Sequence, residues 1–314
     1  MKKALIFLIF LYACEDKSSN YLPSSSGNLN EISVVLSDEL WDGAVGSYIK
    51  ESFAKPIYGL PQREPLFSLK HIPAHIFSGF VTKNRTIIKV QKAKKPQTLI
   101  SYNQFATPQL VVEFKGPNSI EIIKQIQKET QKIIFLINKS EIVEKQRRIK
   151  KSLSKGPELK NNLKVSLKYP SIYRSAKSTN DFVWLRKDIA SGSLNLMVYE
   201  VSNNNQLNRS YIKIRDSISK LHIPGPVDNT SMSVDNGYIV SSQQGVLNNK
   251  NYKEYRGMWE VKNQFMAGPF IGYEFEDKKN QRTIYIDGFV YAPSVKKRSY
   301  IFELESIIKS IIID

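Results

Sequence analysis

The sequence predicts an α+β protein of two domains, with mainly antiparallel sheets packed against helices. Short β-branched or alternating runs occur along the whole chain, and amphipathic helical stripes separate them. Gly156-Pro157 and the polar residues up to Asn162 mark a break near the middle. The second half has the order βββα–βββα, and such segregated runs favour an antiparallel sheet that carries helices.

The first domain is predicted to cover residues 31–155. Its expected elements are a buried strand at 32–36, a helix at 39–53 capped by Ser37 or Asp38, strands at 86–90 and 109–114, and a helix from 120 to 152. Prolines between Pro56 and Pro73 interrupt regular structure there, so no strand is expected in that stretch.

The second domain is predicted to cover residues 160–314. Its expected elements are strands at 163–169, 181–187 and 194–200, a helix at 207–220, a loop from 222 to 250, strands at 252–262, 269–276 and 282–291, and a final helix capped by Ser294.

The N-terminus has the layout of an export signal. Met1-Lys2-Lys3 is followed by an apolar run of ten residues from Ala4 to Ala13, which is too short for a bilayer-spanning helix of roughly 20 residues. Leu11-Tyr12-Ala13-Cys14 resembles the lipobox of bacterial lipoproteins. That resemblance implies removal of residues 1–13, diacylglyceryl and palmitate-type acylation at Cys14, and a membrane anchor. Polar residues 14–30 then form the expected flexible tether.

The charge and the cysteine content of the chain limit the classes of binding partner that we expect. The chain has 46 Lys and Arg against 29 Asp and Glu, a net charge of +17, which suits anionic headgroups or glycans but also fits a lysine-rich composition with no such role. An exported protein rarely meets nucleic acid, so we expect no such partner. Cys14 is the single cysteine, so no internal disulfide can form.

Motifs for catalysis and metal binding are weak. His71 and His75 have the spacing of zinc ligands on a helix, but Pro73 between them disfavours a helix, and we expect no metal and no cofactor. The acidic residues at 38, 39 and 42 lie beside Trp41, as in a sugar-processing site, but they also suit the first turn of a helix. No catalytic residue is assigned.

An aromatic binding surface is the strongest remaining candidate. Arg256, Trp259, Phe265 and Met266 lie beside Gly-Pro turns, and together with Trp41 they are the residues we expect to contact a glycan ring or a protein partner. The alternative is that they belong to the core of a β-hairpin.

Nine segments resemble the domain-of-unknown-function 4837 family, which consists of Bacteroidetes lipoproteins without a known activity. They are ELWDGAVG (39–46), FAKPIYGLPQREPLFSLKHIP (53–73), FSGF (77–80), PQLVVEF (108–114), FVWLR (182–186), IPGP (223–226), YRGMWEV (255–261), FMAGPF (265–270) and GFVYAPSVKKR (288–298). The resemblance extends over residues 21–312 and implies phylum and lipoprotein status. The order of elements also resembles the PsbP/Mog1 type of sandwich, a fold analogy that implies no activity.

From these features we expect a lipid-anchored cell-envelope protein of the outer membrane. It is expected to bind an envelope protein, a glycan or anionic headgroups without catalysing a reaction. The alternative is a hydrolase of envelope polysaccharide or peptidoglycan.

Overall fold

The computed structural model describes residues 21–203 and 210–314, which fold into two α+β units. The predicted fold class is confirmed. The export signal at 1–13 and Cys14 lie outside the described residues. None of the helices in the described ranges is both long and apolar enough to cross a bilayer.

The first unit is a five-stranded sheet with strand order β2-β1-β3-β5-β4. Its elements are β1 (Glu31–Leu36), α1 (Asp38–Asp42), α2 (Ala44–Phe53), β2 (Ser68–Pro73), β3 (Thr86–Lys92), β4 (Gln97–Tyr102), β5 (Leu110–Gly116) and α3 (Ser119–Ile149). The strands β2, β1, β3 and β5 run parallel, and only β4 is antiparallel to its neighbour. This sheet therefore differs from the antiparallel arrangement that dominates the rest of the molecule.

Helices cover one face of this first sheet. The alternating residues Ile32, Val34 and Leu36 of β1 join a buried cluster with the apolar stripe of α3, which includes Ile122 and Ile126. No α-helix of the described residues packs on the opposite face. That face is crossed by residues 74–83, which contain two short 3₁₀ turns and connect β2 to β3.

Three details of the first unit differ from the sequence predictions. The helix expected at 39–53 is two helices, because Gly43 between them has an extended backbone. Ser37 caps the first of them through a bond from the Leu40 amide. Two strands, β2 and β4, were not expected; β2 lies in the proline-rich stretch, where Pro73 is its last residue and interrupts nothing.

Residues 21–30 of the segment predicted to be a flexible tether, 14–30, lie within the described part of the chain. From Pro23 onward the chain is bound to the first unit: the Thr107 amide donates to the Pro23 carbonyl at 2.9 Å, and the Ser26 amide donates to the Lys83 carbonyl at 2.8 Å. The Asn30 amide donates to the buried Glu141 carboxylate at 2.8 Å. These polar residues satisfy backbone groups at the start of the parallel strands, which is why they are ordered.

The second unit is an eight-stranded antiparallel sheet with the order β10-β12-β13-β14-β9-β8-β7 and β11 paired to β12. The elements of the second unit are α4 (Glu158–Leu163), β6 (Val165–Ser166), β7 (Arg174–Ser178), β8 (Phe182–Ile189), β9 (Gly192–Ser202), α5 (Tyr211–His222), β10 (Met232–Val234), β11 (Ser241–Leu247), β12 (Lys250–Val261), β13 (Met266–Asp277), β14 (Arg282–Tyr291), α6 (Arg298–Ile308) and β15 (Ile312–Ile313). Strands β6 and β15 pair with each other outside the eight-stranded sheet.

Helices cover both faces of the second sheet. On one face α4 and α6 pack against residues such as Ile271, Ile284 and Ile286. On the other face α5 packs through Tyr211 and Ile214 on a cluster rich in aromatic residues. The predicted loop at 222–250 contains β10 and β11, which the sequence reading missed because their Ser, Asn and Gly content is typical of loops.

The two units share a polar contact across α6. Glu64, from the loop after α2, accepts the Lys297 amide at 2.6 Å and the Arg298 amide at 3.1 Å. The expected cap residue Ser294 lies upstream of α6, with a φ of 65°. A carboxylate of the first unit therefore caps the last helix of the second. Nearby, Lys145 of α3 contacts Glu303 of α6 at 2.7 Å.

Candidate functional site

The residues predicted to form one aromatic surface are dispersed. Trp259 is 1% exposed and packs on the α5 side of the sheet, so the prediction that it belongs to a binding surface is wrong. Arg256 lies on the same strand and binds carboxylates that include Glu305 of α6. Phe265 is fully exposed in the turn between β12 and β13, and Met266 beside it is partly buried. Burial separates them because alternate residues of β12 point to opposite faces.

Trp41 belongs to the first unit and already has partners. The ring of His71 stacks on its indole at 4.8 Å between centroids, and Lys50 Nζ lies 4.2 Å from the ring centroid. His71 Nε2 is also 3.2 Å from the Leu36 carbonyl. The acidic residues of α1 therefore lie on the surface beside a tryptophan that already packs on its neighbours. No cluster of three or more His, Cys, Asp or Glu side chains suited to a metal occurs in residues 21–203 and 210–314.

A polar groove opens on the second sheet, beyond the N-terminal end of α5. It has a volume of about 580 Å³. The β11–β12 hairpin forms one wall, and β13 and β14 form the floor. The polar residues that line it are Asn203, Gln244, Asn251, Lys253, Glu274, Glu276 and Thr283. The Tyr252 ring points to the opposite face of the sheet, where it packs beside Tyr273 and Phe275, so the groove offers hydrogen-bonding groups and no ring of Tyr252.

Hydrogen bonds fix Glu274 at the floor of the groove. Tyr255 donates its hydroxyl to Glu274 Oε2 at 2.8 Å, and Lys253 Nζ lies 3.4 Å from Oε1. Burial and the bond to Glu274 raise the pKa of Tyr255 above its usual value, so this phenol stays a donor at neutral pH. Glu276, two residues along the same strand, is exposed and 3.9 Å from Lys278.

A buried polar network supports the groove from the α5 side. Asp287 on β14 accepts from the Tyr211 hydroxyl, from the Tyr199 hydroxyl at 3.0 Å and from Arg215 Nε at 3.1 Å. The Tyr211 ring stacks on Tyr255 at 3.8 Å with an interplanar angle of 3°. Because Tyr255 holds Glu274, the buried network and the groove are joined through one pair of rings.

The network is closed to solvent. Arg215 and Asp287 are both 0% exposed, and the Arg215 guanidinium carbon lies 4.2 Å from the Phe270 ring centroid. Burial, followed by the charge of Asp287, raises the pKa of Tyr199 and Tyr211 well above the usual value. The space is tight, because a Cβ on Gly272 would lie 1.8 Å from the Tyr211 hydroxyl oxygen. The network therefore positions the tyrosine rings behind the groove and leaves no room for a substrate.

A second charged cluster joins the other face of the sheet to α6. Arg256 contacts Glu254 at 2.7 Å and Glu305 at 2.8 Å, and Lys309 contacts Glu305 at 2.6 Å. Burial alone would raise the pKa of Glu305, but the charges of Arg256 and Lys309 outweigh it and lower the pKa to about 2. Arg256 therefore holds a helix on the sheet, where the sequence reading expected a ligand contact.

Sequence reasoning missed the groove and the residues behind it. Tyr199, Tyr211, Arg215 and Asp287 are spread over almost ninety positions and share no motif. One signal was present: Asp287 is a lone acid within the apolar strand RTIYIDGFVY, and a charge in such a strand needs a buried partner.

Sequence comparison divides the chain at the same place as the fold. Residues 152–310 match the model of a domain of unknown function, DUF4837. The chain belongs to the DUF4837 family. Residues 25–150 match a different model, a domain of unknown function named DUF8532. The resemblance expected over 21–312 is thus confirmed for the second unit, while the motifs before residue 150 fall in the DUF8532 region. No curated protein matches the chain.

Matches to solved structures are weak. A crystal structure from Bacteroides thetaiotaomicron has 10% identity and a TM-score of 0.26, and the alignment covers 48% of this chain and 45% of that one. The Saccharomyces cerevisiae Ran-binding protein Mog1p has 7% identity, a TM-score of 0.29 and coverage of 48% and 89%. The lipid transfer domain of human StarD13 has 10% identity, a TM-score of 0.21 and coverage of 44% and 88%. Scores this low carry no argument about this chain, and the chain spans less than half of the Bacteroides protein.

Proposed function

We propose that this chain is a lipid-anchored cell-envelope protein of the outer membrane that binds a glycan in the groove of its second unit, without catalysing a reaction. The observation that carries the binding role is the groove lining. Amide, carboxylate and ammonium groups from β11, β12 and β13, together with Asn203 after β9, converge there. Sugars present adjacent hydroxyls that both donate and accept, and such side chains complement them.

The charge of the groove favours a hydroxyl-rich ligand over an anionic one. Among the described residues that line it, Lys253 is the one cation, and it faces Glu274, with Glu276 on the same strand. These two carboxylates would repel a phosphate or a uronic acid, whereas the hydroxyls of a neutral glycan can donate hydrogen bonds to them. The overall positive charge of the chain therefore does not describe this part of the groove.

Glycan binding is tested with residues 21–314 and soluble envelope polysaccharides, by calorimetry. The groove variant Gln244→Ala/Asn251→Ala removes two exposed amides from the lining. The matched control is Gln127→Ala/Gln131→Ala on the exposed face of α3. Loss of two hydrogen bonds at about 1 kcal/mol each weakens binding roughly 30-fold. Equal affinity for the groove variant and the control would contradict the proposal.

A glycan hydrolase is the second candidate, because Glu274 and Glu276 project from one face of β13. Strand geometry puts residues two apart about 7 Å from each other, within the spacing of roughly 6.5–9.5 Å that inverting glycosidases use. Release of reducing ends by the unmodified protein, abolished in both Glu274→Gln and Glu276→Gln, would favour this candidate. Binding without product release favours the first.

A further inference from the structure

The described chain begins at one edge of the first unit, beside the ends at which the interior strands β3 and β5 start. Residues 23–26 are held there by Thr107 and Lys83, as described above. Eight residues separate Cys14 from Pro23. Even fully extended, such a segment spans at most about 30 Å. If Cys14 carries the lipid, this edge of the protein cannot leave the neighbourhood of the membrane.

An apolar segment, residues 74–83, runs from the end of β2 across the open face of the first sheet and reaches this place at Lys83. In residues 74–83, Phe77 and Val81 pack inward on the open face of the first sheet. Ile76 and Phe80, each one residue earlier, point outward and are 52% and 71% exposed. Tyr21, at the start of the described chain, is 88% exposed. Exposed Phe, Ile and Tyr side chains match the composition of membrane-interface contacts.

Buried Gln109 joins this segment to the tether. Its side-chain amide donates to the Thr82 carbonyl at 2.7 Å and to the Asn84 carbonyl at 2.8 Å. Lys83 between them accepts the Ser26 amide. The segment is therefore fixed relative to the point at which the tether begins, and Phe80 is only three residues from that contact.

The basic end of α3 reaches the same place. Arg148 Nη2 donates to the Gly27 carbonyl at 3.3 Å. Arg147 and Arg148 share Glu144, whose burial would raise its pKa but whose bonds to the two arginines lower it to about 2. Exposed Lys150 and Lys151 follow, so this end of the helix keeps a positive charge. Such a charge is attracted to anionic headgroups within a Debye length.

We propose that this edge of the first unit rests on the bilayer that holds the anchor, with Ile76 and Phe80 at the lipid interface and the end of α3 over anionic headgroups. The proposal rests on the lipid anchor of the proposed function. Two apolar side chains bind a membrane weakly by themselves. The anchor makes their contact intramolecular and raises the effective concentration of lipid around them. The contact fixes one orientation, with the second unit and its groove attached through α6.

The test supplies the lipid chemically, so its result is independent of natural acylation and of glycan binding. Residues 14–314 are coupled through Cys14, the single cysteine, to a maleimide phospholipid in vesicles of phosphatidylcholine and phosphatidylglycerol. Phe80→Trp is compared with Phe135→Trp, whose parent side chain is similarly exposed, at 64%, on α3. Both variants keep the three native tryptophans. Brominated acyl chains quench emission only from rings that enter the bilayer.

We expect brominated lipid to quench Phe80→Trp emission at least twofold more than Phe135→Trp emission. The charge arm uses Lys150→Gln/Lys151→Gln, with Lys94→Gln/Lys95→Gln, two exposed lysines between β3 and β4, as the control. In the Phe80→Trp background the first pair reduces quenching and the second does not. Equal quenching at positions 80 and 135 would overturn the proposal. Equal effects of the two lysine pairs would overturn the role of α3.

Discussion

The first sheet carries helices on one face, whereas the second carries helices on both. Parallel strands are usually covered on both faces, and antiparallel sheets often leave one face to solvent. Here the mostly parallel first sheet is the half-open one, and in the part of the chain that the structure describes its second face is covered by residues 74–83 and Phe105 without an α-helix. The antiparallel second sheet lies between α5 and the pair α4 and α6.

This difference in coverage determines how deeply the ion pairs on the two sheets are buried. The closed second sheet buries the Arg215–Asp287 pair completely, with every carboxylate oxygen hydrogen-bonded. The open face of the first sheet pairs Lys89 and Lys115 with Glu113 at 3.1 and 3.0 Å, and water still reaches these side chains. Substitutions of charged residues should therefore be severe at the Arg215–Asp287 pair and mild on the open face of the first sheet.

The largest effect is expected at the Arg215–Asp287 pair. Arg215→Met or Asp287→Leu alone leaves an uncompensated charge in a closed site and should lower the free energy of unfolding by about 3–5 kcal/mol. The double variant should recover part of that loss, since no buried charge remains. Urea denaturation followed by near-ultraviolet circular dichroism measures both. Single variants that lose less than about 1 kcal/mol would show that the network is open to water.

Acid should destabilise the second unit through Glu305. Its pKa of about 2 in the folded protein lies below the usual 4.5, so its stabilising effect is complete above pH 5 and is lost as the pH falls towards 2. The shift corresponds to at most about 3 kcal/mol. The stability of Glu305→Gln should vary less with pH across this window than that of the unmodified protein. A parallel pH dependence of the two proteins would exclude Glu305 as its source.

Glu64→Ala tests whether the two units unfold together. Loss of the cap on α6 should lower the free energy of unfolding by about 1–2 kcal/mol. We also expect two separated transitions when amide hydrogen exchange follows the two units independently. Exposed Glu51 lies nearby, and Glu51→Ala is the control. If this control separates the transitions as much as Glu64→Ala does, the cap does not couple the units.

The smallest effect is expected on the open face of the first sheet. Glu113→Gln removes a carboxylate that contacts Lys89 and Lys115, both about one-fifth exposed. Partly solvated pairs of this kind contribute at most about 1 kcal/mol. Because the bonds to the two lysines lower the pKa of Glu113 in spite of its burial, the small loss should disappear at acid pH. Thermal unfolding at pH 7 and pH 3 measures it.

Local patterns predicted many of the elements but not how they pair. The strand at 282–291 matches the prediction in both bounds, and α3 starts and ends within three residues of its prediction. The strand is a long run of mostly apolar residues, and the helix has buried Ile122, Ile126, Ile133 and Ile137 at helical spacing. Strands β2 and β11 were missed, since proline in one and glycine with polar residues in the other dominate the local signal. Their pairing to β1 and β12 outweighs propensity.

The candidate site was less accessible to sequence reasoning than the fold. Trp259 and Arg256 have the residue types of a binding surface, but burial depends on which face of β12 a residue occupies and on which helix covers that face. The groove needs the β11–β12 hairpin and β13 side by side, and β11 itself was unpredicted. Lipidation at Cys14 stays a prediction from the sequence alone.

The two halves of the chain match different family models, but the cap on α6 makes the stability of one half depend on the other. The two family models divide the chain between residues 150 and 152, so each half has its own evolutionary record. Yet the final helix of one half begins on a carboxylate of the other, and Leu60 from the first half packs in the core of the second. Exchanging either half for that of a distant relative would remove these partners. Lineages that carry both halves should therefore change residues 60 and 64 in step with the start of α6.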